Sequence, residues 1–454
     1  MISFSSPTNS ENLTPPQLVI INKSPISQTT TTTMIQPTLL QPADRRLAAA
    51  AIASILLLGS ARLLFDTFKT IHIHTKYPSP PPPPPIFLSP ADRRSFSPAK
   101  CNPFQGQWLW NDDTNVTSPS PLYTEDSCPY LVKQTTCRRN GRPDGAYQKW
   151  RWKPAGCELP PFEAAKMLDV VRGKRVMFVG DSVMRSQFES MVCMVQAAVP
   201  RGAKSFDRVP PRKIFRAGVE WNVTLEYYWA PFIVESISDH ATNHTVHKRL
   251  VSLDAIDKHG ATWKEADVLV FESYVWWMHK PFINATYGSP ENIREYDVAT
   301  AYKVAMETWA NWLEANINPR RQSVFFMSMS PTHLWSWEWR PGSDGNCFNE
   351  TYPVEPAGRP YWGTGSNLQI MNIIGDVIGR LRQVKVTFLN ITQLSEYRKD
   401  GHTMVYGERK GKLLTGEQRS DPKNFADCIH WCLPGVPDTW NHILYAYLLH
   451  NYRS

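Results

Sequence analysis

The chain has 454 residues, a formal charge of +8, 20% charged residues, 38 prolines, 17 tryptophans and 8 cysteines. Its apolar and aromatic content excludes a wholly disordered protein, and 38 prolines exclude a long coiled coil or a helical bundle throughout. The first 100 residues hold nine Lys and Arg against four Asp and Glu, leaving 40 against 37 in the other 354, so the basic excess is mostly N-terminal and does not describe a nucleic-acid surface.

Residues 1–46 are rich in Ser, Thr, Pro, Asn and Gln without helix or strand periodicity, which predicts a disordered tail. Leu47 to Phe65 reads LAAAAIASILLLGSARLLF, nineteen residues against about 20 needed to cross a bilayer, with Arg62 able to snorkel. It starts too far from Met1 for a cleaved signal peptide and predicts a signal anchor, with a buried core helix as the competing reading. Residues 66–100 contain six consecutive prolines from Pro80, an extended spacer or, alternatively, an SH3-type ligand. Cys101, Cys128, Cys137, Cys157, Cys193, Cys347, Cys428 and Cys432 all follow the anchor, an even number that suits four disulfides of unknown pairing. Sequons follow it too, at Asn115, Asn222, Asn243, Asn284, Asn349 and Asn390, whereas Asn12 and Asn22 precede it. This distribution predicts a cytosolic tail and a lumenal C-terminal part, a type II membrane protein.

Residues 101–160 carry four cysteines, four tryptophans and many turn formers, as expected of a disulfide-stapled N-terminal subdomain. Over residues 161–454 buried-strand and helix patterns alternate. Strands are predicted at Val176–Val179, Asp267–Phe271, Val324–Met327 and Val384–Leu389. Helices are predicted after Ser182, at Ala301–Asn316, Leu368–Leu381 and Trp440–Leu449. This implies an α/β, Rossmann-like parallel sheet covered on both faces, with its site at the C-terminal strand ends.

Gly180-Asp181-Ser182 falls at such an end, where a serine at a helix N-terminus lies near backbone N–H groups able to stabilise an oxyanion. A serine that only caps the helix would read the same. Asp427-Cys428-Ile429-His430 supplies an Asp three residues before a His, which lets the carboxylate orient the imidazole from one short turn. Ser182, His430 and Asp427 are therefore the candidate triad. A zinc site at His430 or a purely structural histidine are the alternatives, and the lack of a second paired ligand cluster argues against metal.

The segments CNPFQGQW from Cys101, PLYTEDSCPY from Pro121, NGRPDGAYQKWRWKP from Asn140, CELPPF from Cys157, FVGDSVMRSQFESMVC from Phe178 and DCIHWCLPGVPDTWN from Asp427 resemble the plant trichome birefringence-like family. That family comprises Golgi polysaccharide O-acetyltransferases related to the SGNH/GDSL esterases. The resemblance covers residues 101–454. It implies an acetyl-Ser182 intermediate, His430 as base then acid, Asp427 as its orienter, and a glycan hydroxyl as acceptor. The stretches YVWWM from Tyr274, FFMSMSPTH from Phe325, FLNITQLSEYRKDGHT from Phe388 and DPKNFADCIHWCLPG from Asp421 look most like the xylan-modifying branch. The implied partners are xylan or a related wall polysaccharide, the Golgi membrane and acetyl-donor supply proteins, with no nucleic acid. Glu272 departs from the pattern: it stands where relatives carry an asparagine that serves the oxyanion hole, so Gly180, Asp181, Arg185 and Gln187 are considered for that role. Trp276, Trp277, Trp335, Trp337 and Trp339 are candidates for sugar stacking or for the core, and Arg340 and Arg185 for glucuronate pairing. No nucleotide-binding glycine motif occurs, so no tightly bound cofactor is expected. The acetyl donor is either acetyl-CoA or an acetyl group delivered by a partner.

Overall fold

The computed structural model describes residues 96–111, 121–241, 243–244, 248–355, 361–409 and 411–453. The expected tail, anchor and most of the stem, together with the Asn115 sequon, lie outside the described residues. Among the described residues no helix is long and apolar enough to cross a membrane.

Strand β1 (Gly106–Trp110) pairs antiparallel with β2 (Trp150–Pro154). Helix α1 (Ala164–Val170) precedes β3 (Arg175–Gly180) and α2 (Ser182–Gln196), followed by β4 (Lys204–Val209), β5 (Arg212–Ala217) and β6 (Val223–Trp229). Then come β7 (Leu250–Ser252), α3 (Asp257–Trp263), β8 (Val268–Phe271), β9 (Phe282–Tyr287), β10 (Ser289–Asp297) and α4 (Val298–Asn316). The chain continues through β11 (Ser323–Met327), α5 (Leu368–Gly379), β12 (Val386–Leu389), α6 (Thr392–Glu396) and β13 (His402–Met404). A hairpin of β14 (Glu408–Arg409) and β15 (Lys412–Leu413), the short helices α7 (Gly416–Arg419) and α8 (Pro422–Phe425), β16 (Asp427–Trp431) and α9 (Val436–Arg453) complete it.

The main sheet has the order β12-β11-β8-β3-β6-β5-β4. Its first five strands are parallel, as expected, but β5 and β4 run antiparallel to their neighbours, so the sheet is mixed. The reason is connection length. Only Pro210 and Pro211 separate β4 from β5, and residues 218–222 separate β5 from β6, too few for a crossover. From β3 the chain steps to β6 on one side and then to β8 on the other. The crevice beyond the C-terminal ends of β3 and β8 is therefore the topological switch point, where ligand sites of open α/β sheets form.

Both faces of the parallel part are covered, which explains its continuous apolar runs. Phe178 meets Phe188 of α2 at 6.1 Å between ring centroids. Phe271 and Phe326, one residue out of phase with Phe178, meet Trp309 of α4 on the opposite face at 5.4 and 5.1 Å. Trp276 and Trp277 belong to this core rather than to an open groove: Trp277 is 0% exposed, with its indole N–H bonded to Ser273 Oγ, and Trp276 packs edge-on against Trp229 and Phe232.

All eight cysteines pair, as Cys101–Cys157, Cys128–Cys193, Cys137–Cys432 and Cys347–Cys428. The first staples residues 101–160 within themselves, as expected, and two more fasten that region to the sheet domain. Cys128 ties it to α2 and Cys137 to the segment after β16. Two buried arginines reinforce the join. Arg142 donates to the carbonyl oxygens of His402 (3.0 Å) and Asp400 (2.8 Å), and Arg398 reaches back to that of Tyr147 (2.7 Å) while pairing with Asp400 (2.8 Å). At the start of the folded part, Phe96 is buried against Tyr447 of α9, so the last residues assigned to the stem already join the domain.

The Cys137–Cys432 bond spans 295 residues of chain. Removing it with Cys137→Ala and Cys432→Ala together is expected to reduce stability by about 2–5 kcal/mol. A thermal melt reads this as a lower midpoint, and an unchanged midpoint would show that the Cys128–Cys193 bond and the arginine bonds hold the join without it.

Candidate active site

Ser182 is the first residue of α2, immediately after β3. The N-cap is Asp181, whose Oδ1 accepts the Val183 N–H at 2.8 Å, so the hydroxyl of Ser182 is not consumed in capping. Gly180 permits the close passage of β8 behind this turn: a Cβ there would stand 2.5 Å from the Glu272 carbonyl oxygen and 2.9 Å from Met184 Cβ. The helix start gathers N–H groups around Ser182, the natural setting for an oxyanion.

His430 and Asp427 lie on strand β16, outside the main sheet, where an isolated turn was expected. Strand β16 pairs antiparallel with β13. Ser182 Oγ lies 2.7 Å from His430 Nε2, and His430 Nδ1 lies 2.7 Å from Asp427 Oδ2. Asp427 Oδ1 also accepts the backbone N–H groups of Ile429 and His430, both at 3.0 Å. Burial alone would raise this carboxyl, but the facing imidazole and these N–H donors outweigh it and hold Asp427 well below the usual carboxylate range. An ionised Asp427 fixes the Nδ1–H tautomer and leaves Nε2 free to take the Ser182 proton. The side chains of His430 and Asp427 are 15% and 16% exposed, enough to admit a reactant.

The other expected site residues fall in different places. Arg185, one turn along α2, donates to Gln134 Oε1 and lies 3.8 Å from Glu189. Gln187 is fully buried, and its backbone carbonyl accepts from Asn441. Arg340 pairs with the buried Glu350 at 2.7 Å. Trp335 and Trp337 do not form a core strand: Trp335 precedes and Trp337 lies within a single 3-10 turn (Ser336–Glu338), and they are 42% and 49% exposed. Their loop is fastened beside β16 by the His333 N–H to the Cys428 carbonyl (3.1 Å), by the Cys347–Cys428 bond, and by Asn346 to the Pro422 carbonyl (2.9 Å). Among the sequons, Asn222, Asn243, Asn284 and Asn349 are exposed and Asn390 is half-buried. Among the described residues no cluster of three or more His, Cys, Asp or Glu is arranged to hold a metal ion.

Sequence reasoning passed over a second histidine pair. His402 Nδ1 lies 3.1 Å from the His430 carbonyl oxygen, its ring stacks on Trp431 at 4.0 Å, and its Nε2 lies 2.7 Å from His333 Nδ1. Burial drives the imidazole of His333 down to about 4 and that of His402 well below its usual value. These residues seat the backbone that carries His430. Neither has an Asp-x-x-His spacing like that of His430, so spacing alone could not place them.

A GDSL-type serine at the switch point, faced by Asp-x-x-His from the far end of the chain, defines an acyl-transfer fold of the SGNH class. The family described as GDSL/SGNH-like acyl-esterases found in Pmr5 and Cas1p matches residues 159–447, and the PMR5 N-terminal domain matches residues 99–158. Protein trichome birefringence-like 31 of Arabidopsis thaliana is 64% identical over 89% of this chain and 95% of its own. Probable xylan O-acetyltransferase 8 of Oryza sativa subsp. japonica is 44% identical over 79% of this chain and 80% of its own, and xylan O-acetyltransferase 7 of the same source is 43% identical over 77% and 59%. The chain belongs to the trichome birefringence-like family.

A fluorophosphonate that reports on activated serines is expected to label the folded domain at Ser182. Asp427→Asn, which removes the anion that orients His430, is expected to slow labelling by about 10⁴-fold. Intact-mass kinetics measure it, and a loss below tenfold would show that Asp427 does not set the His430 tautomer.

Proposed function

We propose that the protein is a xylan O-acetyltransferase that works through an acetyl-Ser182 intermediate in the Golgi lumen, anchored by residues 47–65 with residues 1–46 in the cytosol. The observation that carries this reading is the Ser182–His430–Asp427 relay, both of whose contacts are 2.7 Å, at the switch point of the sheet. His430 takes the Ser182 proton as Oγ attacks the acetyl carbonyl, then returns it to the departing donor group. An acceptor sugar hydroxyl, deprotonated by the same imidazole, attacks the acetyl-serine; its oxygen keeps the acetyl group and Ser182 recovers its proton. Amides at the start of α2 face the developing oxyanion. The donor is acetyl-CoA or an acetyl group handed over by a partner protein.

Two observations support a glycan acceptor. Relatives named as xylan O-acetyltransferases align over 77–79% of the chain. Trp335 and Trp337 present exposed indoles on the loop tied to β16, and Trp362, 42% exposed, adjoins them on a loop that Glu338 holds through Thr364 N–H at 2.9 Å. Indole faces suit the C–H faces of sugar rings. A second reading, an acetyl esterase, draws on the partial exposure of His430 and Asp427, which admits water to the acyl-enzyme.

The recombinant lumenal domain, offered an acetyl donor and a panel of xylan, mannan, xyloglucan and pectic oligomers, is expected to acetylate xylo-oligomers at O-2 or O-3. Ser182→Ala is expected to lower the rate by at least about 10³-fold. Product NMR showing only net release of acetate from acetylated xylan would establish the esterase instead. Trp337→Ala is expected to raise KM for xylo-oligomers by about three- to tenfold with kcat little changed; an unaltered KM would remove this indole from the acceptor site.

A further inference from the structure

Behind Ser182 stand two carboxyl groups that the triad does not use. Asp181 and Glu272 are both fully buried at the C-terminal ends of the adjacent parallel strands β3 and β8. The register sets Phe271 beside Val179, which brings Glu272 beside Gly180; Glu272 Oε2 lies 3.2 Å from where a Gly180 Cβ would be. This register and close approach set the Glu272 carboxyl beside the Asp181 side chain, near enough for each to act on the other's ionisation. One of the four oxygens, Asp181 Oδ1, has the Val183 N–H. The other three, Asp181 Oδ2 and both oxygens of Glu272, are buried with no donor supplied by the surrounding protein.

Two neighbouring carboxylates with one hydrogen-bond donor among their four oxygens, shut away from water, repel each other and lose hydration together; one proton between them relieves both penalties. The asymmetry of the surroundings says which group holds it. Asp181 accepts the Val183 N–H at 2.8 Å and caps the N-terminus of a fifteen-residue helix, both favouring its anion, while the backbone N–H groups of Asp181 and Tyr274 near Glu272 make no hydrogen bond with it and offset its burial only in part. The geometry points to Glu272 as a neutral carboxylic acid that donates its proton to the Asp181 carboxylate and thereby positions the turn bearing Ser182. It rests on Ser182 being the nucleophile and not on any choice of acceptor. Burial, then the nearby Asp181 charge, pushes the Glu272 carboxyl well above its usual range. Burial also raises Asp181, but the Val183 N–H, the His430 ring and Arg185 oppose it there.

The bond has two effects on the reaction. It fixes the Asp181 side chain, and so the first turn of α2, without using any group that must face the substrate. It also limits the Asp181–Glu272 pair to one negative charge behind the place where an anionic tetrahedral intermediate forms. The titratable neighbours are Arg185 on α2, Tyr227 on β6, Tyr274 after β8, Tyr302 on α4 and His430 on β16. Burial holds the three phenols well above their usual value, so they remain neutral while Glu272 titrates, and Tyr227 donates its hydroxyl proton to the Asp181 carbonyl at 2.8 Å. The folded state thus retains a Glu272 proton that the unfolded chain loses. The stability gained from it is full below the ordinary glutamate range and declines as pH rises toward the raised value.

Two measurements test this on the intact lumenal domain. Infrared difference spectra of wild type against Glu272→Gln at neutral pH are expected to show a protonated carboxylic acid band in the wild type only. In the fluorophosphonate assay, Glu272→Gln, whose amide can donate to Asp181, is expected to stay within about threefold of wild type and to lose the alkaline fall in rate. Glu272→Ala is expected to label about 10- to 100-fold more slowly. Absence of the infrared band, or a glutamine variant as slow as the alanine variant, overturns the proposal. Should the alanine variant fail to fold, the glutamine comparison and the spectra still decide. If Ser182 is not the nucleophile, Ser182→Ala will still be labelled while the infrared band is unaffected, so the two failures are distinguishable.

Discussion

The 2.7 Å contact between Ser182 Oγ and His430 Nε2 joins residues 248 positions apart, and the rest of the structure is arranged around keeping it. Ser182 is easily placed, because a strand-to-helix turn in a buried parallel sheet is rigid. His430 is not. Its strand pairs only with the three-residue β13, and such a ribbon has little independent stability. What fixes it is covalent and ionic. Cys428 and Cys432, two residues either side of His430, are each disulfide-bonded to distant segments, and His402 and Trp431 stack beside it.

This gives the N-terminal region a definite part. Arg142 sits with its guanidinium 4.1 Å from the centroid of Tyr147 and its N–H groups on the carbonyls of residues 400 and 402, just before and within β13. Arg398 lies 4.4 Å from the Trp108 ring centroid and pairs with the buried Asp400. A buried guanidinium stabilises only when nearly all its donors are used, and losing one partner of such a pair costs about 3–5 kcal/mol. Residues 101–160 are therefore less a separate module than a clamp on the strand that carries the base and its orienter.

Much of this architecture is legible in the residues. Val176–Val179 and Val324–Met327 read as buried strands because both faces are covered, and the serine and histidine blocks declare themselves by spacing. Strand β6, an interior strand beside β3, is missed because Glu226 interrupts its apolar run; in the fold Arg175 pairs with that carboxylate at 2.7 Å, and the two residues are 51 apart in sequence. Trp276 and Trp277 read as either core or sugar platform because sequence shows that an indole is present but not which way it faces, and the fold puts them in the core. Trp335 and Trp337 carry the same ambiguity and resolve the other way. The disulfide pairing was equally hidden, since it depends on how a loop-rich segment lies across a sheet it does not join.

Glu272 stands where the sequence resemblance leads one to expect an asparagine, and the fold gives its presence a physical sense when it is set against Asp427. Both carboxyl groups lie in one crevice, and burial pushes both upward. Asp427 receives two backbone N–H groups and the His430 ring, so its anion is stabilised and can hold an imidazolium as it forms. Around Glu272, burial and the neighbouring Asp181 carboxyl outweigh the nearby backbone N–H groups of Asp181 and Tyr274, with which it makes no hydrogen bond, so the uncharged form prevails. Opposite displacements of two acids across one crevice place an anion behind the base and a neutral hydrogen-bond donor behind the nucleophile. Ionising Glu272 as well would put a second negative charge on the side where the oxyanion develops, and neutralising Asp427 would free the histidine to adopt the wrong tautomer. The donors around each carboxyl, rather than the two acids themselves, decide which one keeps its proton.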